Sequence, residues 1–334
     1  ITDEDGKEYE LEVLAELEHD GSRYLVVPEG AAVPAELDGD IVVLQQPIEN
    51  IYLVSSSAMD PIISIGGLGA VALSGTQAEN WYLDAARTAM DQGQIVYAGK
   101  YSAPDYETIL AADCGLAIEN TMIYHTPEVK EQLEKFGVPV LVERSSYESG
   151  PLARMEWVKL YGILLGKTNE AERVFADAEQ RIAPLADEAP TGKTVAFFSI
   201  TSNNLATVRK GGDYVAEMIK MAGGSYAFAD LTDSGNNLAT VNISLEDFYA
   251  GAKDADVLIY NSTIEGELRS IDELIAKCPM LADFKAVQSG NVWCTAQSLF
   301  QQSMELPDLI LDMNKVFTEG NPNANELKFL TKLQ

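Results

Sequence analysis

Cysteine is scarce: Cys114, Cys278 and Cys294 are the only three in 334 residues. None sits in C-x-x-C spacing, which excludes a zinc ribbon, a redox dithiol and a disulfide framework. Histidine is scarcer still, with His19 and His125 alone, too few for a histidine-built metal centre. Lys and Arg number 23 against 52 Asp and Glu, a net charge of −29. Such a surface repels phosphate backbones, so nucleic acid is excluded as a partner, and it favours solubility. No apolar run reaches the roughly 18 residues that would span a bilayer. Enzyme signatures are missing too. "GGLGAV" (66–71) has G-x-x-G but lacks the rest of a dinucleotide fingerprint and its acid. "TGKT" lacks Walker spacing, and G-x-S-x-G is absent. Carboxylates are so common that no pair stands out as an acid–base dyad. No catalytic residue, metal site or resident cofactor is therefore expected, and the chain reads as non-enzymatic.

The length suits about two domains. Apolar residues make up 46%, enough to fill sizeable cores. Residues 1–44 read as a peripheral acidic segment, with "YELEVLAEL" and "SRYLVV" flanking a hairpin turn at "HDGS". Ile1 in place of an initiator Met reads as a processed or partial chain, leaving room for a removed export signal and membrane anchor.

From residue 45 strands and helices alternate. "NIYLVSS", "QIVYAG", "GLAIEN" and "VPVLVER" read as strands. "QAENWYLDAARTAMDQG", "SAPDYETILAAD" and "TPEVKEQLEKFG" read as helices, the second with Ser102 as its candidate cap. This alternation predicts parallel sheets built from βαβ units. The tract 151–188 reads as one long helix with a candidate break at "GKTNE", and the alternation then resumes from 189 to 334. The expected fold is α/β, with two Rossmann-like lobes at 45–150 and 189–334 and a linker helix between them.

The two lobes echo each other. "SAPDYETILAADCGLAIENT" is matched by "NISLEDFYAGAKDADVLIYNST". Each has a candidate cap (Ser102, Ser244), an early helical acid (Glu107, Glu246), and a strand ending in Asn (Asn120, Asn261).

"GKYSAPDYETILAADCGLAIENT", "KEQLEKFGVPVLVE" and "LYGILLGKTNEAERVFADAEQRI" together resemble the ABC-transporter substrate-binding proteins of the iron-chelate, haem and vitamin B12 class. The likeness runs from about residue 45 to the C-terminus, and residues 1–40 fall outside it. It implies two lobes on a rigid helical backbone, a ligand held in the cleft between them, export, and delivery to a membrane permease and its ATPase. It further implies that Glu107 and Glu246 pair with permease arginines. The bland alternative is that both complement the positive end of a helix.

Candidate cleft residues are those on loops after strand ends: Lys100, Tyr101, Tyr124, His125, Arg144 and Tyr147 in the first lobe, with Ser56, Trp81 and Tyr82 earlier. In the second they are Arg209, Asn237, Trp293 and Gln297, with Phe300 beside them. Tyrosine and tryptophan suit flat faces, and arginine suits carboxylate or catecholate oxygens. Arg154 and Glu156 read as a mutual pair or as cleft residues, and Trp157 as core. A ferric siderophore is the leading ligand class. Haem and corrinoids remain open, with Tyr124 or His125 as axial ligands for haem. The expected protein is an extracytoplasmic monomer, a surface lipoprotein or a periplasmic protein. The rival reading is a two-lobe α/β enzyme or metal-cluster protein, for which the cluster cysteines are missing.

Overall fold

The computed structural model describes residues 13–14, 23–34, 37, 39, 41–232 and 239–334. The turn at His19 and the cleft candidate Asn237 lie outside them. The chain divides into two compact units, 1–144 with 156–175 and 145–155 with 176–334.

The first unit opens with β1 (Val13–Leu14), β2 (Arg23–Val27) and β3 (Ile41–Gln45). β1 pairs antiparallel with β2, and β3 lies parallel to β2. This segment was expected to be peripheral, yet Tyr24 to Val27 are buried and the Tyr24 hydroxyl donates to the Val140 carbonyl. Its apolar run "YLVV" explains the correction, since four successive apolar residues need cover on both faces.

A five-stranded parallel sheet follows, with helices between its strands. In chain order these are β4 (Ile51–Leu53), α1 (Ser56–Ser64), β5 (Val71–Ser74), α2 (Asp84–Asp91) and β6 (Val96–Tyr97). A two-strand ribbon, β7 (Gly99–Lys100) and β8 (Ala103–Pro104), leads into α3 (Tyr106–Ala111). Then come β9 (Ala117–Asn120), α4 (Pro127–Lys135) and β10 (Val140–Glu143). The sheet order is β10-β9-β4-β5-β6, all parallel. Trp81 was expected on a helix, but α2 begins at Asp84. Trp81 is instead buried, its indole N–H donating to Ser74 Oγ at 3.2 Å.

The helical tract is α5 (Pro151–Leu164) and α6 (Thr168–Ile182), parted at the expected "GKTNE". Gly166 takes a φ of +64°, a left-handed turn that ends α5 without the strain a Cβ would add.

The second unit contains β11 (Thr194–Ile200), β12 (Ala206–Arg209), α7 (Tyr214–Met221), β13 (Ser225–Tyr226) and β14 (Thr240–Ile243). α8 (Leu245–Ala252), β15 (Val257–Tyr260), α9 (Ser262–Glu265), α10 (Ile271–Lys277) and α11 (Lys285–Gln288) continue it. β16 (Val292–Thr295), α12 (Leu306–Glu319) and β17 (Leu330–Lys332) complete it. Its sheet runs β14-β12-β11-β15-β16-β17, with β13 also parallel to β11. The parallel part, β16-β15-β11-β13, repeats β10-β9-β4-β5 strand for strand. Phe198, Phe248 and Phe284 form an aromatic core, the first pair tilted with ring centroids 4.7 Å apart and the second stacked at 5.6 Å.

Candidate functional site

In doubly wound sheets ligands collect at the carboxyl ends of the strands, where the strand order reverses. That point lies between β4 and β9 in the first unit and between β11 and β15 in the second.

In the first unit the chain leaving β4 is "SSS". Ser55 and Ser57 both donate hydroxyls to Glu143 Oε2, at 2.8 and 2.7 Å. Glu143 is buried at the end of β10, so this carboxylate ties the two strand ends together. Asn120 Oδ1 accepts the Met122 N–H at 2.9 Å and opens a one-turn helix over Thr121–His125. That turn buries Ile123 and leaves Met122, Tyr124 and His125 exposed. Tyr82, Tyr97 and Tyr147 are exposed as well. Lys100 is exposed on the β7–β8 ribbon, whereas Tyr101 packs partly buried against the first-unit core. Arg144 is half-buried just past β10, and Ser56 is half-buried at the start of α1. Sequence reasoning passed over Tyr97 and Met122. The signal was there for Tyr97, which ends the strand "QIVYAG".

In the second unit Thr201 to Asn204 form an exposed turn between β11 and β12, closed by the Leu205 N–H on Thr201 Oγ1. Asn261 Oδ1 accepts the Thr263 N–H, the counterpart of Asn120. Ser262 donates to the Thr295 carbonyl and binds β15 to β16 at their ends. Gln297 and Phe300 are half-buried in the loop after β16. Trp293 is corrected. It lies inside β16, fully buried, with its indole N–H on Asn291 Oδ1 at 2.8 Å, and so belongs to the core.

Arg209 is also a strand residue, at the end of β12, but its side chain gathers partners. Its Nη1 lies 3.5 Å from Asp213 Oδ2, and its guanidinium carbon sits 4.9 Å from the Phe300 ring centre and 5.6 Å from that of Tyr214. Gly211 makes this turn possible, since a Cβ there would fall 1.7 Å from the Ala229 carbonyl oxygen. Arg154 reaches the same Tyr214 ring, 4.7 Å from its centre. Its expected partner Glu156 pairs with Lys159 instead, at 3.0 Å. Residues two apart on a helix point to different sides, which is why the Arg154–Glu156 pair does not form.

Glu107 and Glu246 are both exposed, and each is the second residue of its helix. Ser244 caps α8 as expected, accepting the Asp247 N–H at 3.0 Å. For α3 the cap is Asp105, which accepts the Thr108 N–H at 3.1 Å, rather than Ser102. The first helix starts three residues later than expected because Pro104 precedes it, and Asp105 is the first residue that can both cap and follow a proline.

The three thiols are all buried, and burial pushes their pKa values up, Cys294 to about 11. Among the described residues no three His, Cys, Asp or Glu side chains gather as a metal site. None of the described helices is long and apolar enough to cross a membrane.

The sequence pattern of the periplasmic binding proteins matches residues 56–298. The chain belongs to the periplasmic binding protein family. This binding protein is 24% identical over 310 residues to an uncharacterized lipoprotein of Methanocaldococcus jannaschii, covering 88% of the chain and 72% of that relative. Its fold resembles a periplasmic haem-binding protein from Pseudomonas aeruginosa, with a TM-score of 0.65 and 19% identity over 86% of this chain and 99% of the other. It also resembles the periplasmic haem-binding protein RhuT from Roseiflexus sp. RS-1, with a TM-score of 0.60 and 22% identity over 81% and 98%.

Proposed function

We propose that this protein is the extracytoplasmic binding component of an ABC importer, held at the cell surface by a lipid or free in the periplasm. Its cargo is an iron complex, with a ferric siderophore as the first candidate. The observation that carries the importer reading is the matched placement of Glu107 and Glu246. Both are exposed at the second position of capped helices that precede equivalent strands. Two carboxylates, one per unit, can engage permease arginines in a single register. The Glu107→Ala, Glu246→Ala double variant should bind its cargo normally and fail to deliver it through the cognate permease. Normal uptake by that variant would overturn the docking role.

The cargo reading rests on exposed Tyr82, Tyr97 and Tyr124, flat faces for a metal complex, in a protein poor in cations. Haem is the second reading, supported by Tyr124 and His125, adjacent and exposed, and by the haem-binding names of both solved neighbours. The absorbance spectrum of the purified protein tests both. A broad visible charge-transfer band supports the siderophore and a Soret band supports haem. A colourless protein that no ferric complex, haem or corrinoid stabilises against heat would overturn the cargo reading.

A further inference from the structure

The two units fill one matched buried position differently, and only the first puts a carboxyl there. Glu119 on β9 and Tyr260 on β15 each precede the asparagine at the strand's carboxyl end, Asn120 and Asn261. Each is wholly buried, Glu119 opposite Val142 of β10 and Tyr260 opposite Cys294 of β16. Tyr260 packs edge-on against Phe198, which in turn meets Phe248 of α8. An uncharged ring thus serves this place in the second unit, so the architecture does not require a carboxyl in the first. Neither oxygen of Glu119 has a hydrogen-bond partner.

The cover over Glu119 is weakest at α3. β9 is fixed by parallel ladders to β4 and β10. α4 enters the first-unit core through Val129 and Leu133. α3 has six residues and buries only Ile109, with Tyr106 half-buried beside it, whereas its counterpart α8 buries Phe248 and Ala252. The titratable groups near enough to feel the charge of Glu119 are Tyr106 from α3 and Tyr52 from β4. Glu128 of α4 stands behind Tyr106, and Tyr97 and Cys114 behind Tyr52. Tyr101, from the β7–β8 turn, packs on the same cluster. Glu143 of β10 lies on the other sheet face, held by Ser55 and Ser57. None of these groups is a cation. Burial pushes the Glu119 carboxyl up to about 8, so it is neutral at pH 7 and charged at pH 9.

An ionised carboxylate must regain water or donors. Keeping it dry costs more than returning one isoleucine to water, so the charge opens the fold where its cover is thinnest. We infer that Glu119 is a proton-operated latch for α3: while neutral it lets the helix close over β9, and its ionisation lifts the helix so that water reaches the carboxylate. α3 carries Glu107, so the latch holds that acid in place at neutral pH and displaces it in alkali. This consequence for docking rests on the permease reading of Glu107, and the latch itself does not.

Ile109 on α3 and Ala252 on α8 are matched probes, each 0% exposed. Methyl NMR spectra of the full chain with a soluble neutral nitroxide report how far solvent reaches each methyl. Between pH 6 and pH 10 the nitroxide broadening of Ile109 should grow several-fold with a midpoint near 8, while that of Ala252 stays unchanged. Glu119→Gln is neutral at every pH and should keep Ile109 protected throughout. Glu119→Met, apolar and of similar length, serves if the Gln variant does not fold. Ile109 still protected at pH 10 in wild type overturns the latch. So does exposure of Ile109 and Ala252 together, or exposure of Ile109 that persists in Glu119→Gln. Normal uptake by the Glu107, Glu246 double variant removes the docking consequence and leaves the nitroxide result to decide the latch.

Discussion

Each unit buries acids, and one from each, Asp312 and Glu119, are treated in opposite ways. In the second unit Asp312, on α12, accepts the N–H groups of Lys328, Phe329 and Leu330 at 2.9, 2.6 and 3.2 Å through Oδ2. One carboxylate thereby fixes the strand β17 that closes that sheet edge. In the first unit Glu119, on β9, is fully buried, and neither of its oxygens has a hydrogen-bond partner. It shares a strand face with Ala117, toward Tyr52 of β4 and Tyr106 of α3. The Tyr52 hydroxyl is turned away, donating to the Gly99 carbonyl. Burial pushes both acids upward, and Glu119, with nothing to offset it, rises from 4.5 to about 8. A buried carboxylate stabilises a fold only when donors replace its water. Asp312 is an anchor on this argument, and Glu119 is a proton store.

The largest effect should come from Glu119. A folded pKa of about 8 against an ordinary 4.5 means that the native state binds more protons than the unfolded chain between those values. Stability must therefore fall as pH rises through that window and level off above it. The total loss is on the order of 5 kcal/mol. Glu119→Gln cannot ionise, so it should lose this dependence and exceed wild type in stability at pH 9. Urea unfolding of both proteins at pH 5 and pH 9 measures it. Parallel pH profiles would show that Glu119 titrates normally and that the contrast with Asp312 is empty.

The opposite sign is expected at Asp312. Asp312→Ala leaves three backbone donors without their acceptor and should cost about 3 kcal/mol. Asp312→Asn keeps one oxygen acceptor and should cost less. Thermal unfolding ranks the three proteins, and an alanine variant as stable as wild type would remove the anchor.

Smaller, and equal in the two units, should be the caps. Asp105→Ala and Ser244→Ala each remove one side-chain acceptor from a first-turn N–H, worth about 1 kcal/mol. Unequal losses in thermal unfolding would mean that the two helices are not held alike.

The legible parts of this fold were those written in local chemistry. Strand–helix alternation, the break at Gly166, the Ser244 cap and the Asn120–Asn261 echo all depend on residues within a few positions of each other. What stayed hidden depends on residues far apart in sequence. Glu143 meets Ser55 across 88 positions, and Arg154 meets Tyr214 only because residues 145–155, with the first turn of α5, belong to the second unit. Within "LAIEN" Glu119 reads as one more strand residue, since alternation gives its face but not its lack of donors. Trp293 misled because the end of a strand was taken for a loop, although its two neighbours in "VWC" are as apolar as a buried strand requires.

The smallest expected effect decides between the two accounts of Glu107 and Glu246. If their role is to complement helix ends, each alanine substitution should cost up to about 1 kcal/mol, and salt should erase the difference. Both helices are short, six and eight residues, and Asp105 and Ser244 already occupy the cap positions. A second carboxylate at an exposed position adds little to a terminus so provided. Single Glu107→Ala and Glu246→Ala variants should therefore match wild type within a few tenths of a kcal/mol in thermal unfolding at low salt, while cap variants do not. A loss near 1 kcal/mol at both sites would return the glutamates to helix stabilisation and leave the permease contact without its structural support.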